Sequence, residues 1–124
     1  MSKRVAFLVF STLTFAALQT GCSEKPLTYQ ADVKPIIDAN CMECHVPGGP
    51  GYEKSGLRMD NYEGLMKGTK FGPVVVPGSS VGSTLYLLVA GKADPSIRMP
   101  HGKAALPEKD VATLAAWIDQ GAKN

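Results

Sequence analysis

The sequence is short of cysteine, histidine and net charge, and each shortage argues against a class of protein. Its 124 residues include three Cys and two His, and three cysteines cannot pair evenly into a disulfide scaffold. Lys and Arg number 13 against 11 Asp and Glu, a balance that argues against a nucleic-acid-binding protein, which needs a basic face. The apolar content of 44% is too high for a disordered chain. The length allows one folded domain and makes a second one unexpected.

Residues 1–21 are typical of an export signal. Lys3 and Arg4 precede an almost uninterrupted apolar run over residues 5–18. A basic start, a short apolar stretch and a small residue before the cleavage point define such signals. As a helix the run would reach about 21 Å, which is short of the ~30 Å hydrocarbon core of a bilayer. A permanent membrane span is therefore the weaker interpretation.

The end of this signal resembles that of a bacterial lipoprotein. Gly21 and Cys22 follow the apolar run, and the resemblance implies that Cys22 becomes the first residue of the mature chain and is lipidated. The alternative is ordinary cleavage that leaves Cys22 as a free thiol or removes it. We therefore expect an exported protein on the periplasmic face of a bacterial membrane, anchored by lipid, with residues 22–28 as a tether.

Helix caps and apolar spacing predict a small all-α domain with many loops. Asp32 is the expected cap of the first helix, with Pro35 in its first turn, where the missing N–H has no cost. Residues 46–51, rich in Pro and Gly, predict a surface loop. Asp60 is the expected cap of a short helix that ends at Gly68.

The second half of the chain predicts two more helices and no strand. Ser79 or Ser80 can begin a helix that ends at Gly91. Pro107 begins the last helix, with Trp117 at the edge of its apolar side. Four residues of that helix recur at the spacing of one helical face: Val111, Leu114, Ala115 and Ile118. Residues 74–76 are predicted to be extended chain packed on the core.

The sequence Cys-Met-Glu-Cys-His at residues 41–45 is the attachment pattern of c-type haem. Cys41 and Cys44 lie three apart on one turn, so that each can add to a vinyl group of one porphyrin. His45 is then held beneath the ring, where its imidazole can bind the iron. The pattern predicts one covalent haem c.

The motif allows three other interpretations. A thioredoxin-like dithiol would need a βαβ unit beside Cys41 and Cys44. A zinc site would use Cys41, Cys44, His45 and His101, although zinc ligands usually come as two spaced pairs. A simple disulfide between the two cysteines is the third.

The residue on the other side of the iron decides the redox behaviour, because a Met/His pair raises the potential. The candidates are Met59, Met66, Met99 and His101. Met99 is favoured because Pro100 restricts its backbone and gives its flexible side chain a fixed base. Any of these Met residues can equally be a core filler, and His101 is a rival that would lower the potential.

The chain resembles class I cytochrome c, and most closely the planctomycete-type cytochrome c domain. The resemblance covers residues 29–122. It rests on the attachment motif and on six further segments, at residues 32–37, 56–60, 76–80, 83–86, 98–100 and 114–122. It implies that Met99 is the sixth ligand. It also implies that the first and last helices cross near the haem, with Ile36 and Ile37 against Leu114 and Ile118. The family often has a second Pro where this chain has His101.

The expected function is that of a lipid-anchored monohaem cytochrome that carries single electrons between redox partner proteins in the bacterial cell envelope. Such a carrier binds no small-molecule substrate and is not an enzyme by itself. The alternative is a haem-based sensor or peroxidase-like protein with an open sixth iron position. Arg58, Arg98 or Lys103 can neutralise a haem propionate, although each is more often a solvated charge. Residues 46–51 are expected at the exposed haem edge, where a partner would dock.

Overall fold

The computed structural model describes residues 24–124 of the chain. The expectations on the export signal and on Cys22 lie outside these residues. A π-helical turn, Tyr29–Val33, continues into α1, Lys34–Asn40, and is followed by α2, Pro50–Ser55, and α3, Tyr62–Lys67. The chain then forms α4, Thr84–Val89, a 3₁₀ turn, Pro95–Ile97, and α5, Glu108–Asp119. Over residues 24–124 no helix is long and apolar enough to cross a membrane.

The fold is all-α, as predicted. Within the described residues the only β pairing is an isolated bridge between Thr69 and Gly72. Val74 and Val75 are buried on the core without forming a strand, which confirms the expectation of packed chain for these two residues, whereas Val76 is exposed. The helices are short, so most of the fold consists of turns and loops that lie between them.

The first helical segment begins earlier than Asp32, the predicted cap. The Thr28 hydroxyl accepts a hydrogen bond from the Ala31 N–H at 3.2 Å, and the Asp32 carboxylate accepts one from the Thr28 N–H at 2.9 Å. These reciprocal bonds satisfy backbone donors at the helix start, so the first turn forms around Thr28. Pro35 lies in the first turn of α1, as predicted. Leu27, in the predicted tether, packs against the core and donates its N–H to Gln120 at 2.8 Å.

The predicted loop at residues 46–51 is wrong at its end, because Pro50 and Gly51 form the first turn of α2. Pro at the first helical position gives up an N–H that has no partner there in any case. The other two middle helices begin later than predicted. The Asn61 side chain, not that of Asp60, caps α3 by accepting from the Gly64 N–H at 2.7 Å.

The start of α4 also differs from the prediction. Ser83 stands at its N-cap, because Ser79 and Ser80 are used elsewhere. The Ser80 N–H and hydroxyl both donate to the Asp119 carboxylate, at 2.7 and 2.9 Å. The Ser79 hydroxyl accepts from the Gly82 N–H at 3.1 Å, in the turn before α4. The two bonds from Ser80 tie the segment before α4 to the end of α5.

The core is centred on Trp117, which is fully buried and not at the edge of α5 as predicted. Its indole N–H donates to the Lys123 carbonyl at 2.8 Å, and its ring centroid lies 6.3 Å from that of Tyr29. α5 therefore meets the first helical segment through the π-helical turn that contains Tyr29. Ile36 and Ile37 of α1 belong to the same buried cluster as Leu114 and Ile118.

Candidate cofactor site

The two motif cysteines lie on one hydrogen-bonded turn directly after α1. The Cys41 N–H donates to the Ile37 carbonyl at 2.8 Å, which ends the helix. The N–H groups of Cys44 and His45 both donate to the Cys41 carbonyl, at 3.2 and 3.0 Å. Both thiols are free and half-buried. The sequence therefore folds into a compact turn that presents two unbridged thiols and an imidazole together.

Burial shifts the pKa of the Cys41 thiol away from its ordinary value. Burial raises the pKa of the Cys41 thiol to about 11. The nearby Lys103 opposes this shift by a smaller amount, and Cys44 adds slightly to it. Cys41 is therefore a neutral thiol at pH 7 in the protein without its cofactor. A buried neutral thiol is a poor nucleophile toward solvent oxidants, since the thiolate is the reactive form.

His45 has the protonation state that metal binding requires. Its side chain is nearly buried, and burial lowers the pKa of the imidazole, so the ring is neutral at pH 7. The backbone of Leu57 opposes this shift, but Nδ1 remains buried without a hydrogen-bond partner of acceptable geometry. Because Nδ1 is the nitrogen enclosed by protein, Nε2 is the one available to bind a metal.

The backbone at the start of α2 packs closely against the attachment motif. A Cβ at Gly51 would come within 2.8 Å of His45 Cε1 and 3.0 Å of Nδ1, and a Cβ at Gly49 within 2.6 Å of the Cys44 carbonyl oxygen. The Tyr52 N–H donates to that carbonyl at 2.8 Å. Residue spacing did not predict this contact, and the expectation that residues 46–51 lie at an exposed docking edge stays a prediction. The signal was present, since glycines so close to an attachment motif permit close backbone approach.

The structure brings the loop of residues 98–103 to the attachment turn. The Lys103 ammonium forms an ion pair with the Glu43 carboxylate, and it is close enough to affect the pKa of Cys41. Met99 is half-buried and packs against the same cluster as Cys41 and Met42. The loop that carries the favoured sixth ligand therefore lies against the motif.

The other candidate ligands have different surroundings. Met59 is 2% exposed and belongs to the core, with its N–H donating to the His45 carbonyl at 2.8 Å. Met66 is half-buried and packs on the core from α3. His101 is exposed. Met99 alone among these four combines partial burial with a place in the loop that contacts the attachment turn.

The other interpretations of the motif find no support in residues 24–124. No three side chains of His, Cys, Asp or Glu come together there in a way that could hold a metal ion by themselves, so the zinc site is not formed. The described part of the chain has no βαβ unit to carry a thioredoxin-like dithiol. Cys41 and Cys44 are not joined in a disulfide.

Two of the three basic residues expected near a propionate have carboxylate partners in the protein. Arg58 forms two hydrogen bonds with Asp60, at 2.7 and 2.8 Å, and Lys103 pairs with Glu43. Within residues 24–124, Arg98 has no ion-pair partner. It lines an open cavity of about 400 Å³ between α4 and α5. The predicted attachment residues and iron ligands do not line this cavity: Cys41, Cys44, His45, Met99 and His101.

These residues fit a covalently attached haem. Two free thiols lie on one turn, a buried neutral imidazole follows them, and a loop with a half-buried methionine contacts that turn. Together with the all-α fold, this arrangement places the protein in the class of small c-type cytochromes.

Comparison with known families narrows this class. The sequence model of the family described as planctomycete cytochrome C matches residues 41–102, which is half of the chain. The chain therefore belongs to the planctomycete cytochrome c family, whose attachment chemistry implies haem c. The match begins at Cys41 and includes Met99. No curated protein and no solved structure matches the chain. The wider resemblance over residues 29–122 stays a prediction.

Proposed function

We propose that this protein is a monohaem c-type cytochrome that carries single electrons between redox proteins of the bacterial cell envelope and catalyses no reaction of its own. The observation that carries the proposal is the attachment turn, with its two free thiols and a neutral, buried His45. The ion pair from Lys103 brings the Met99 loop to that turn. Family membership supports the c-type class.

Each site residue has a defined role in this proposal. Cys41 and Cys44 form the two thioether bonds. His45 would hold the iron through Nε2, and Met99 would be its second protein ligand, with His101 as the rival of Met99. The bound haem supplies a one-electron couple between ferric and ferrous iron, at a potential that a Met/His ligand pair raises.

The protein's own contribution is to hold these residues in one arrangement. His45 is fixed on both sides, because its carbonyl accepts from the Met59 N–H and its ring lies against Gly51. Met99 is anchored at its backbone, where its N–H donates to the Leu88 carbonyl at 3.2 Å. A carrier needs this rigidity because its ligands must remain in place in both oxidation states.

The proposal includes a lipid anchor at Cys22 on the periplasmic face of a membrane. The described chain supports a short connection, because Leu27 is already bound to Gln120. Only residues 22–26 then separate the lipid from the folded domain, which is at most about 18 Å of extended chain. A single acyl chain binds membranes weakly, so stable anchoring requires the several chains of a bacterial lipoprotein.

Absorption spectroscopy and mass measurement test the haem proposal. The protein is produced in a host that matures c-type cytochromes, and the intact mass shows whether one haem is covalently bound. We expect a low-spin spectrum with the weak near-infrared sulfur-to-iron band. Met99→Ala should lose this band and His101→Ala should keep it.

Two results would contradict the proposal. A wild-type mass without porphyrin would reject the cytochrome. A high-spin spectrum that changes when carbon monoxide is added to the intact, reduced protein would favour the sensor or peroxidase-like alternative. The mass of the mature N-terminus, compared with that of Cys22→Ser, tests the anchor separately.

A further inference from the structure

The loop that follows Met99 has very few attachments to the rest of the protein. Residues 101–105 are all exposed, and Leu106 is the next buried residue. Over residues 100–105 the only side-chain hydrogen bond to another part of the described chain is that from Lys103 to Glu43. The Lys103 N–H also donates to the Pro100 carbonyl at 3.4 Å, but this bond lies within the loop and does not attach it to the rest of the protein. The loop is therefore held between Met99 and Leu106 by one ion pair.

The carboxylate partner of this ion pair lies on the hydrogen-bonded attachment turn. Glu43 lies between Cys41 and Cys44, on the turn whose backbone bonds run to the Ile37 and Cys41 carbonyls. Its partner Lys103 stands four residues after Met99. A bond at this position ties the loop to the same turn that would be joined to the haem.

We infer that Lys103 and Glu43 form a latch that slows the opening of the Met99 loop, and so limits the access of external ligands to the sixth iron position. The inference rests on the proposed function. Both side chains are partly solvated, at 43% and 72% exposed, so the latch contributes modestly to stability and is weakened by salt. Lys103 is a positioning residue here, because it acts on Met99 through the loop.

Two measurements on the ferric haem-loaded protein test the latch. The first is the rate at which added imidazole replaces the sixth ligand, and the second is hydrogen exchange of the Met99 and Lys103 amides, the two in this loop that donate to backbone carbonyls. We expect Lys103→Gln and Glu43→Gln each to speed both processes about two- to fivefold, the range that an exposed ion pair allows. The double variant should be no faster than either single one.

Variants that restore the opposite charges at positions 43 and 103 distinguish loss of the ion pair from a general loss of structure. Lys103→Arg, and the exchanged pair Glu43→Lys with Lys103→Glu, should return both rates toward those of the wild type. High salt should speed the wild type but leave the single variants almost unchanged. Lys109→Gln is the matched control, because Lys109 is an exposed lysine on α5 outside the ion pairs of the described chain.

The inference would be overturned if hydrogen exchange and imidazole binding kept their wild-type rates in both single variants. It would also be overturned if the variant with swapped charges, Glu43→Lys with Lys103→Glu, failed to restore those rates. The exchange measurement follows the loop itself. If the near-infrared band shows that Met99 is not the ligand, exchange that depends on Lys103 still establishes the latch, while the ligation proposal fails alone.

Discussion

Gly51 lies directly against the imidazole of His45. A side chain at this position would have its Cβ 2.8 Å from Cε1 and 3.0 Å from Nδ1, which is closer than van der Waals contact permits. The ring is thus fixed by the backbone of α2 on the side that carries its buried, unpartnered nitrogen. The glycine determines where Nε2 points, and with it the direction from which, under the proposed function, His45 would bind an iron.

Gly51→Ala should therefore displace the His45 ring or the start of α2. Overpacking of this kind costs about 1–3 kcal/mol, and we expect a lower denaturation midpoint, a smaller haem-loaded yield and an altered low-spin spectrum. Gly82→Ala is the matched control: a Cβ there first meets the Ser79 hydroxyl, whose displacement would cost one exposed hydrogen bond from the Gly82 N–H and leave the attachment turn untouched. An unaltered spectrum and midpoint in Gly51→Ala would show that this contact does not position the ring.

Met59 is predicted to act as a core residue and not as an iron ligand. It is 2% exposed and belongs to the central cluster, so Met59→Ala should lower the free energy of unfolding by about 2–5 kcal/mol through the cavity it leaves. The near-infrared sulfur-to-iron band should persist. Denaturant titration and the ferric spectrum measure the two effects on one sample. Loss of the band in Met59→Ala with its retention in Met99→Ala would reverse the assignment.

Asp119 should stabilise the fold by accepting two hydrogen bonds from Ser80. Asp119→Ala leaves the Ser80 N–H and hydroxyl, which are nearly buried, without their acceptor. We expect a loss of about 1–3 kcal/mol in chemical denaturation. Ser80→Ala removes only the hydroxyl and should cost less. The double variant should cost less than the sum of the single ones, because the residues share a bond. Strict additivity would indicate that the bond contributes little in solution.

The parts of this fold that could be predicted depend on local signals. The attachment motif is contiguous, and the last helix has a full apolar face and a Pro at its start, so both are recognisable from residue spacing alone. The position of Trp117 was missed because its burial depends on Tyr29 and on the Lys123 carbonyl, which other segments supply.

The remaining errors have a similar origin. Ser80 is a good cap by residue type, but its hydroxyl is directed toward Asp119, 39 residues away, to which it donates. The start of α2 was hidden because Pro and Gly usually indicate a loop, and here Pro50 stands at the one helical position that suits it. The ion pair of Glu43 with Lys103 joins residues 60 apart, and no local pattern indicates it.

The first helical segment should depend on pH through Asp32. Its hydrogen bond with Lys25, followed by that with the Thr28 N–H, holds the pKa of the Asp32 carboxyl below its ordinary value of 3.8. A depressed pKa means that the folded state favours the charged carboxylate, so the stabilisation is present above pH 3.8 and is lost as the pH falls through the lower folded value.

Asp32→Asn should consequently lower the thermal midpoint at pH 7, and the difference from the wild type should shrink as the pH is taken below 3.8. Lys25→Gln removes one of the two partners and keeps the Thr28 bond, so its effect at pH 7 should be smaller and of the same sign. Thermal melts of the haem-loaded proteins followed by far-ultraviolet circular dichroism measure this. A difference between Asp32→Asn and the wild type that stays constant down to acid pH would mean that the carboxylate charge plays no part in holding the first turn.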